Sequence, residues 1–394
     1  MRLGLCWPML LCAPSAVGAQ SLEIRTAPSA RVYLHEVNRG AGLVDFVVQN
    51  VAVVNRGAER LTLQNVRYEV LRRDQVILAQ YFPREMLEPL WRLLRGYLDR
   101  PGNMTSQASA FLFDSLLAGG VTLAQTISLE PNSAVLLARR PFVLSVVVPE
   151  RMRISATAVN DSGVEVNARV ELELVRHTSP NEYRLPMAGR WYVASSASLQ
   201  SHHRWRPSSE FALDFTQIGA GGSSYRGAGT SVSDYYAYGS NVLASAAGRV
   251  VAVTADVADN ELPKPNEVRA DFARRVLTPL WERDPTGKLA NGNIVVIQHA
   301  GGEHSSYAHL RRGSVRVRVG DSVSAGQPIA QIGFSGDGFE PHLHFQITLG
   351  PDPHFSPGLP VSFVNIRPIG FSSTIDQEPR RALLTGEFVE TVRR

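Results

Sequence analysis

The chain is expected to be mainly β: an N-terminal β-sandwich of immunoglobulin-like type carrying a helical insertion, then a second β region. Three observations carry this expectation. Short runs of β-branched residues alternate with polar ones from about Ser21 to Leu174. Turn signals punctuate them at intervals suited to a sandwich. After a polar, proline-bearing stretch the strand pattern resumes from Gly189. With 394 residues, the chain is long enough for two separate cores. The expected boundaries are 1–19, 20–180 and 187–394.

The first 19 residues read as a secretory signal. Arg2 supplies the positive start, Leu3 to Cys12 a short apolar core, and Val17-Gly18-Ala19 the small residues of a cleavage site. The apolar core is too short to span a bilayer, and no later segment approaches the roughly 20 apolar residues that spanning requires. The expected location is therefore periplasmic or secreted. Cys6 and Cys12 are the only cysteines and both lie in this segment. A mature chain without them has neither disulfides nor thiolates, so a metal site must draw on His, Asp or Glu.

The sandwich is read from five runs. Val44 to Val48, Leu61 to Val66, Ala134 to Leu137, Ile154 to Val159 and Val164 to Leu174 are expected strands. Asn55-Arg56-Gly57, Pro131-Asn132 and Asn160 to Gly163 are the turns between them. One insertion, near 84–118, breaks the rhythm. Leu87, Leu90, Trp91, Leu94 and Leu98 recur at helical spacing, and Phe111, Leu112, Ser115 and Leu116 suggest a second helix. The linker is expected at His177 to Pro186.

In the second region Asn241 to Ala255 and Asn293 to His299 are strand-like. Between them an insertion, Asp256 to Asn291, has helical spacing at Val268, Phe272, Val276, Leu277 and Leu280. Val315 to Ile332 reads as a pair of short strands. The net charge of +4 is mildly basic and spread out, which suits a polyanionic surface. There is no dense Lys/Arg run to argue for nucleic acid.

Three segments carry chemistry. In Pro341-His342-Leu343-His344-Phe345, a strand puts both imidazoles on one face, with Leu343 and Phe345 behind. Such a pair can bind a metal, or one ring can bind while the other handles protons; a pair of surface histidines is the plain alternative. The glycines of Gly333 to Gly338 allow a tight turn leading into that strand. Glu210 to Phe215 is read as a strand with Glu210, Ala212 and Asp214 on one face; Asp214, flanked by apolar residues, needs a cation or donors if buried, an ordinary salt bridge included. His309, in Tyr307-Ala308-His309-Leu310, is a candidate proton handler or a merely capped histidine.

Taken in order, these segments resemble the lysostaphin/LytM-like zinc endopeptidases. The resemblance also includes Val242-Leu243-Ala244 with Gly248-Arg249-Val250, Gly292 to Ile297, and Val319 to Val323 with Gly326 to Ile329. It covers roughly residues 190 to 365. It implies an antiparallel β-sheet peptidase domain over 187–394, one Zn2+ ion, and hydrolysis of peptide bonds in peptidoglycan. It further implies that Asp214 and His344 are ligands and that His309 and His342 are the unliganded catalytic pair. A catalytically inactive relative that binds wall or activates another hydrolase is the alternative.

The chain departs from the family at the first ligand. The family places a His four residues before the Asp, where this chain has Glu210. His202-His203-Arg204 stands upstream, as in one branch of the family, so His203 is the expected third ligand, with His202 and Glu210 as rivals. Two carboxylates and one His would cancel the metal's charge and weaken it as a Lewis acid. Pro207-Ser208-Ser209 suits a turn that folds His203 back beside Asp214.

Overall fold

The computed structural model describes residues 21–27, 31–38, 41–99, 117, 119–264, 266–284, 287–369 and 382–392. The expected signal segment, Cys6 and Cys12, and the second helix around Phe111 to Leu116 lie outside these residues.

The protein is mainly β. In the N-terminal half a five-stranded sheet and a six-stranded sheet share one apolar core, built from Phe46, Leu63, Tyr68, Leu136, Phe142 and Ile154 among others. The expected strands are present, and most run longer than the sequence pattern suggests: Leu43–Asn55, Leu61–Arg72, Ser133–Leu144, Arg151–Asn160 and Glu165–Val175. The expected turn at Asn160 closes by the Gly163 amide donating to the Asn160 carbonyl at 3.0 Å, with Gly163 at φ +79°. Arg84–Leu98 is the expected helix. It buries Leu87, Trp91 and Leu98 on the sheets, and Trp91 Nε1 donates to the Ala124 carbonyl at 3.1 Å.

The strand Leu43–Asn55 is buried along almost its whole length instead of alternating. Its outer face carries Asp45 and Gln49, and both touch Arg204 of the C-terminal half. Docking of the second half on this face accounts for their burial.

The C-terminal half is organised on a ten-stranded sheet. Its central order is Gly248–Thr254, Asn293–Gln298, His304–Leu310, Leu343–Thr348, Leu213–Thr216 and Arg190–Ser195, each antiparallel to the next. The run expected at Asn241 to Ala255 is two strands, not one. Asn241–Leu243 pairs instead with Pro328–Gln331 in a separate two-stranded sheet. Ser322–Val323 pairs at the edge of the large sheet, so the two short strands expected within Val315 to Ile332 serve different sheets. Ile366–Ile369 and Phe388–Thr391 complete the large sheet and had no clear signature in the sequence. The helical spacing of the second insertion corresponds to Arg269–Phe272, Ala273–Leu277 and Thr278–Arg283, a continuous helical run with a π-helical middle.

The expected linker is fastened rather than free. Glu303, in the turn before His304–Leu310, is buried and accepts from Ser179 Oγ at 2.6 Å, Asn181 Nδ2 at 2.8 Å and Tyr183 Oη at 2.8 Å. His177 Nε2 lies 2.8 Å from its other oxygen. Burial alone would raise this carboxyl, but these partners outweigh it and hold it at about 2. The folded value lies below the free value, so the stability Glu303 contributes is present above about pH 4.5 and is lost as the pH falls towards 2. Glu303→Gln is expected to lower stability at neutral pH by about 1–3 kcal/mol and to flatten the acid limb of the melting temperature. Melting curves from pH 7 to pH 2 check this; a variant with the wild-type acid limb would show that Glu303 is not the group responsible.

Among the described residues no helix is long and apolar enough to cross a membrane.

Candidate metal and catalytic centre

Four elements bring the candidate residues to one groove. Asp214, on Leu213–Thr216, stands opposite His344 in register, and His344 in turn stands opposite Ala308. His342 lies one residue before the strand Leu343–Thr348 and turns to the same side as His344. His344 Nδ1 is 3.0 Å from Asp214 Oδ1, and His342 Nε2 is 3.6 Å from the same oxygen.

His309 reaches the group through a backbone irregularity. Asn293 pairs with Leu310 and Val295 with Tyr307, so Ala308 and His309 together face Ile294 alone. This is a β-bulge, which re-aims a side chain. His309 sits at φ +60°, a costly conformation for a residue with a Cβ, held by its amide donating to the Asn291 carbonyl at 3.0 Å. Its ring centroid is 4.7 Å from that of His342 and 5.8 Å from that of His344. The turn from Gly333 to Gly338 supports it, since His309 Nδ1 is 2.8 Å from the Ser335 carbonyl. At Gly336, φ +85°, a Cβ would lie 2.4 Å from the Ala290 carbonyl oxygen, so only glycine fits.

His203 arrives from the 3-10 turn His203–Trp205. The chain reverses through 206–210, and His203 Nε2 comes to 3.3 Å from Asp214 Oδ2. Its ring lies edge-on to that of His344, with centroids 4.9 Å apart. Glu210 precedes the strand that carries Asp214 instead of sharing its face. It accepts from Arg204 Nη1 at 2.7 Å. Burial pushes its carboxyl up, to about 7, against the pull of Arg204. The expectation that Glu210 and Asp214 share a strand face is thus corrected: the regular strand begins only at Leu213. His202, the other rival, is exposed, but its ligand atom and those of His203 and Asp214 lie within 4.8 Å of one another.

The second nitrogen of each ring has a partner. His203 Nδ1 lies 3.2 Å from the Ala212 carbonyl, and His342 Nδ1 lies 2.8 Å from that of Glu340. His344 Nε2 faces Gln346 Oε1 at 2.8 Å, and the Gln346 amide is fixed in that sense because its Nε2 donates to the Pro353 carbonyl at 2.8 Å. Neutral rings donating at these positions leave Nε2 of His203, His309 and His342, and Nδ1 of His344, as acceptors or ligand atoms. Burial pushes the His203 and His309 rings well below the usual imidazole value, which keeps them neutral.

Two imidazoles, each with an outer group to orient it, and a carboxylate fit the donor set of a catalytic zinc site. The groove around them has a volume of about 960 Å³, with Arg206, Arg269, Trp281, Asp337, Glu340 and His354 on its walls. Arg269 and Trp281 come from the second insertion. Nothing in the sequence marked this wall; His354 Nε2 lies 2.7 Å from the Gly287 carbonyl and ties the insertion to the loop after Leu343–Thr348. His35, His177, His299 and His304 lie in side-chain or backbone contacts outside this group.

The histidines and the aspartate thus gather in one groove, on and beside antiparallel strands. Residues 229–354 match the model of peptidase family M23, so this part of the chain is an M23 domain. His309, His342 and His344 lie within the match, while His203 and Asp214 precede it. The murein hydrolase activator EnvC of Escherichia coli is 38% identical over 81 residues, 21% of this chain and 17% of that protein. The peptidoglycan DD-endopeptidase ShyC of Vibrio cholerae is 34% identical over 83 residues, 19% of this chain and 18% of that protein. The chain thus spans under a fifth of the length of either relative. Among solved structures, the catalytic domain of lysostaphin from Staphylococcus simulans is similar at 19% identity and a TM-score of 0.23, covering 43% of this chain and 86% of that one.

Proposed function

We propose that this chain is an exported zinc metallopeptidase that hydrolyses peptide bonds in peptidoglycan stem peptides or cross-links. The carrying observation is the convergence of His203, Asp214, His344, His309 and His342 on one groove. His203, Asp214 and His344 would hold the metal. His344 is preferred to the exposed His202 because it lies close to Asp214 and is braced by Gln346. Zinc, when bound, supplies Lewis acidity to the attacking water and the scissile carbonyl.

His309 and His342 serve as the proton-handling pair. With Nδ1 of each ring donating to a carbonyl, Nε2 is presented to the groove as a base for the proton of water. Once protonated, the same nitrogen donates to the oxyanion or the leaving amine. The strained, buried His309 is held neutral and in one orientation before substrate arrives.

The two-domain division at 20–180 and 187–394, the immunoglobulin-like character of the N-terminal sheets, and export by the first 19 residues belong to this proposal. A periplasmic or secreted location agrees with relatives named for murein and peptidoglycan. One of those names, murein hydrolase activator, supports a second reading in which the chain does not cut wall but activates another hydrolase. The two readings part on one experiment. Zinc-loaded mature protein is expected to release fragments with new amino termini from purified peptidoglycan, and chelation is expected to stop it. Digests without new termini would reject the peptidase reading, and stimulation of a separate hydrolase under those conditions would favour the second.

A further inference from the structure

The loop that carries His203 is held from two sides, and one of them is the N-terminal half. On the near side, the His203 amide donates to Ser201 Oγ at 3.1 Å, and Ser201 Oγ is 2.6 Å from Ser195 Oγ. On the far side stands Arg204, fully buried. Its Nη2 bonds Asp45 Oδ1 of the strand Leu43–Asn55, and its carbonyl oxygen accepts from Gln49 Nε2 of the same strand at 2.8 Å. Asp45 Oδ2 is 3.1 Å from His35 Nδ1. The Phe211 ring lies 5.0 Å from the guanidinium carbon and 6.4 Å from the His35 ring.

A three-residue 3-10 turn has little stability of its own. Its geometry is set by what its side chains and carbonyls meet. His203 and Arg204 are adjacent, so a shift of the Arg204 backbone moves His203. A buried ion pair contributes little net stability against its desolvation cost, but it can specify a single arrangement. Here the single arrangement is the one that brings His203 to Asp214.

We propose that Asp45 and Gln49 are positioning residues for the metal centre: acting through Arg204, they lock the turn that presents His203, so the N-terminal sheets complete the site without touching it. The inference rests on the reading of His203 as a ligand. It assigns the N-terminal half a part in assembling the centre, beyond any binding role of its own.

The test uses the full chain with Asp45→Asn and, separately, Gln49→Leu. The zinc dissociation constant is measured by competition with a chelating dye, and circular dichroism with a melt of the metal-free protein monitors folding. Loss of a group that orients a ligand typically costs 10- to 100-fold in metal affinity. That range is expected for Asp45→Asn. Gln49→Leu removes one hydrogen bond and no charge, and about a two- to tenfold loss is expected. Both variants should regain near-wild-type turnover at saturating zinc, because neither residue meets substrate. A folded Asp45→Asn protein with wild-type zinc affinity would overturn the inference. Should that variant not fold, Gln49→Leu decides in its place, and unchanged affinity there overturns it equally. Wild-type protein that binds no zinc would instead sink the metal reading and the inference with it.

Discussion

Asp214→Asn protein is expected to purify folded, without zinc, and without hydrolytic activity. Asp214 is buried at the centre of the group, with His203, His342 and His344 all within 3.6 Å of its carboxylate oxygens. The substitution keeps the shape and removes the charge that a cation needs. The loss should exceed the 10- to 100-fold that follows removal of an orienting group, because a ligand itself is lost. His203→Ala is expected to lose zinc nearly as completely, while His202→Ala keeps it. Glu210 is excluded from the comparison as a direct rival because it is engaged with Arg204. Zinc content per chain after dialysis, with circular dichroism to verify folding, measures all three. Normal zinc in the His203→Ala protein would transfer the third position to His202, whose ligand atom also lies within 4.8 Å of that of Asp214.

Much of the centre was legible because its residues lie on regular elements or in short motifs. Alternation along a strand is local, so His342 and His344 could be placed on one side from five residues. The β-runs that build the first core were likewise visible, since each strand pays for its own burial in apolar residues. Two kinds of feature were not legible. One is irregular backbone: the bulge that aims His309 depends on pairing between Asn293 to Val295 and Tyr307 to Leu310, which no single segment encodes. Glu210 was misread for the same reason, because regular alternation was extended into a segment that is not strand. The other is contact between distant segments. Nothing local to Asp45 and Gln49 points to Arg204, which reaches them from 159 and 155 positions away. His177 to Pro186 had a linker's composition, yet the same serine, asparagine and tyrosine groups that make it polar are those that bind Glu303.

His309→Ala and His342→Ala are expected to separate metal binding from turnover. Neither ring is needed to complete the set formed by His203, Asp214 and His344, so both variants should retain zinc. Each should lose about 10²- to 10⁴-fold in kcat, the usual worth of a positioned acid or base. The two losses should not add, because the rings lie 4.7 Å apart and act on the same protons. His309 carries a further expectation from its backbone. At φ +60° its conformation is costly for any side chain with a Cβ, so alanine inherits the strain but loses the Nδ1 contact to the Ser335 carbonyl that helps hold it. His309→Ala should therefore melt below wild type, whereas His309→Gly, relieved of the strain, should melt higher than His309→Ala while remaining as inactive. Melting temperature, zinc content and initial rates on peptidoglycan, taken on the same preparations, check these outcomes together. Loss of zinc in either alanine variant would show that ring to be a ligand, and retained turnover in either would remove it from the proton-handling pair.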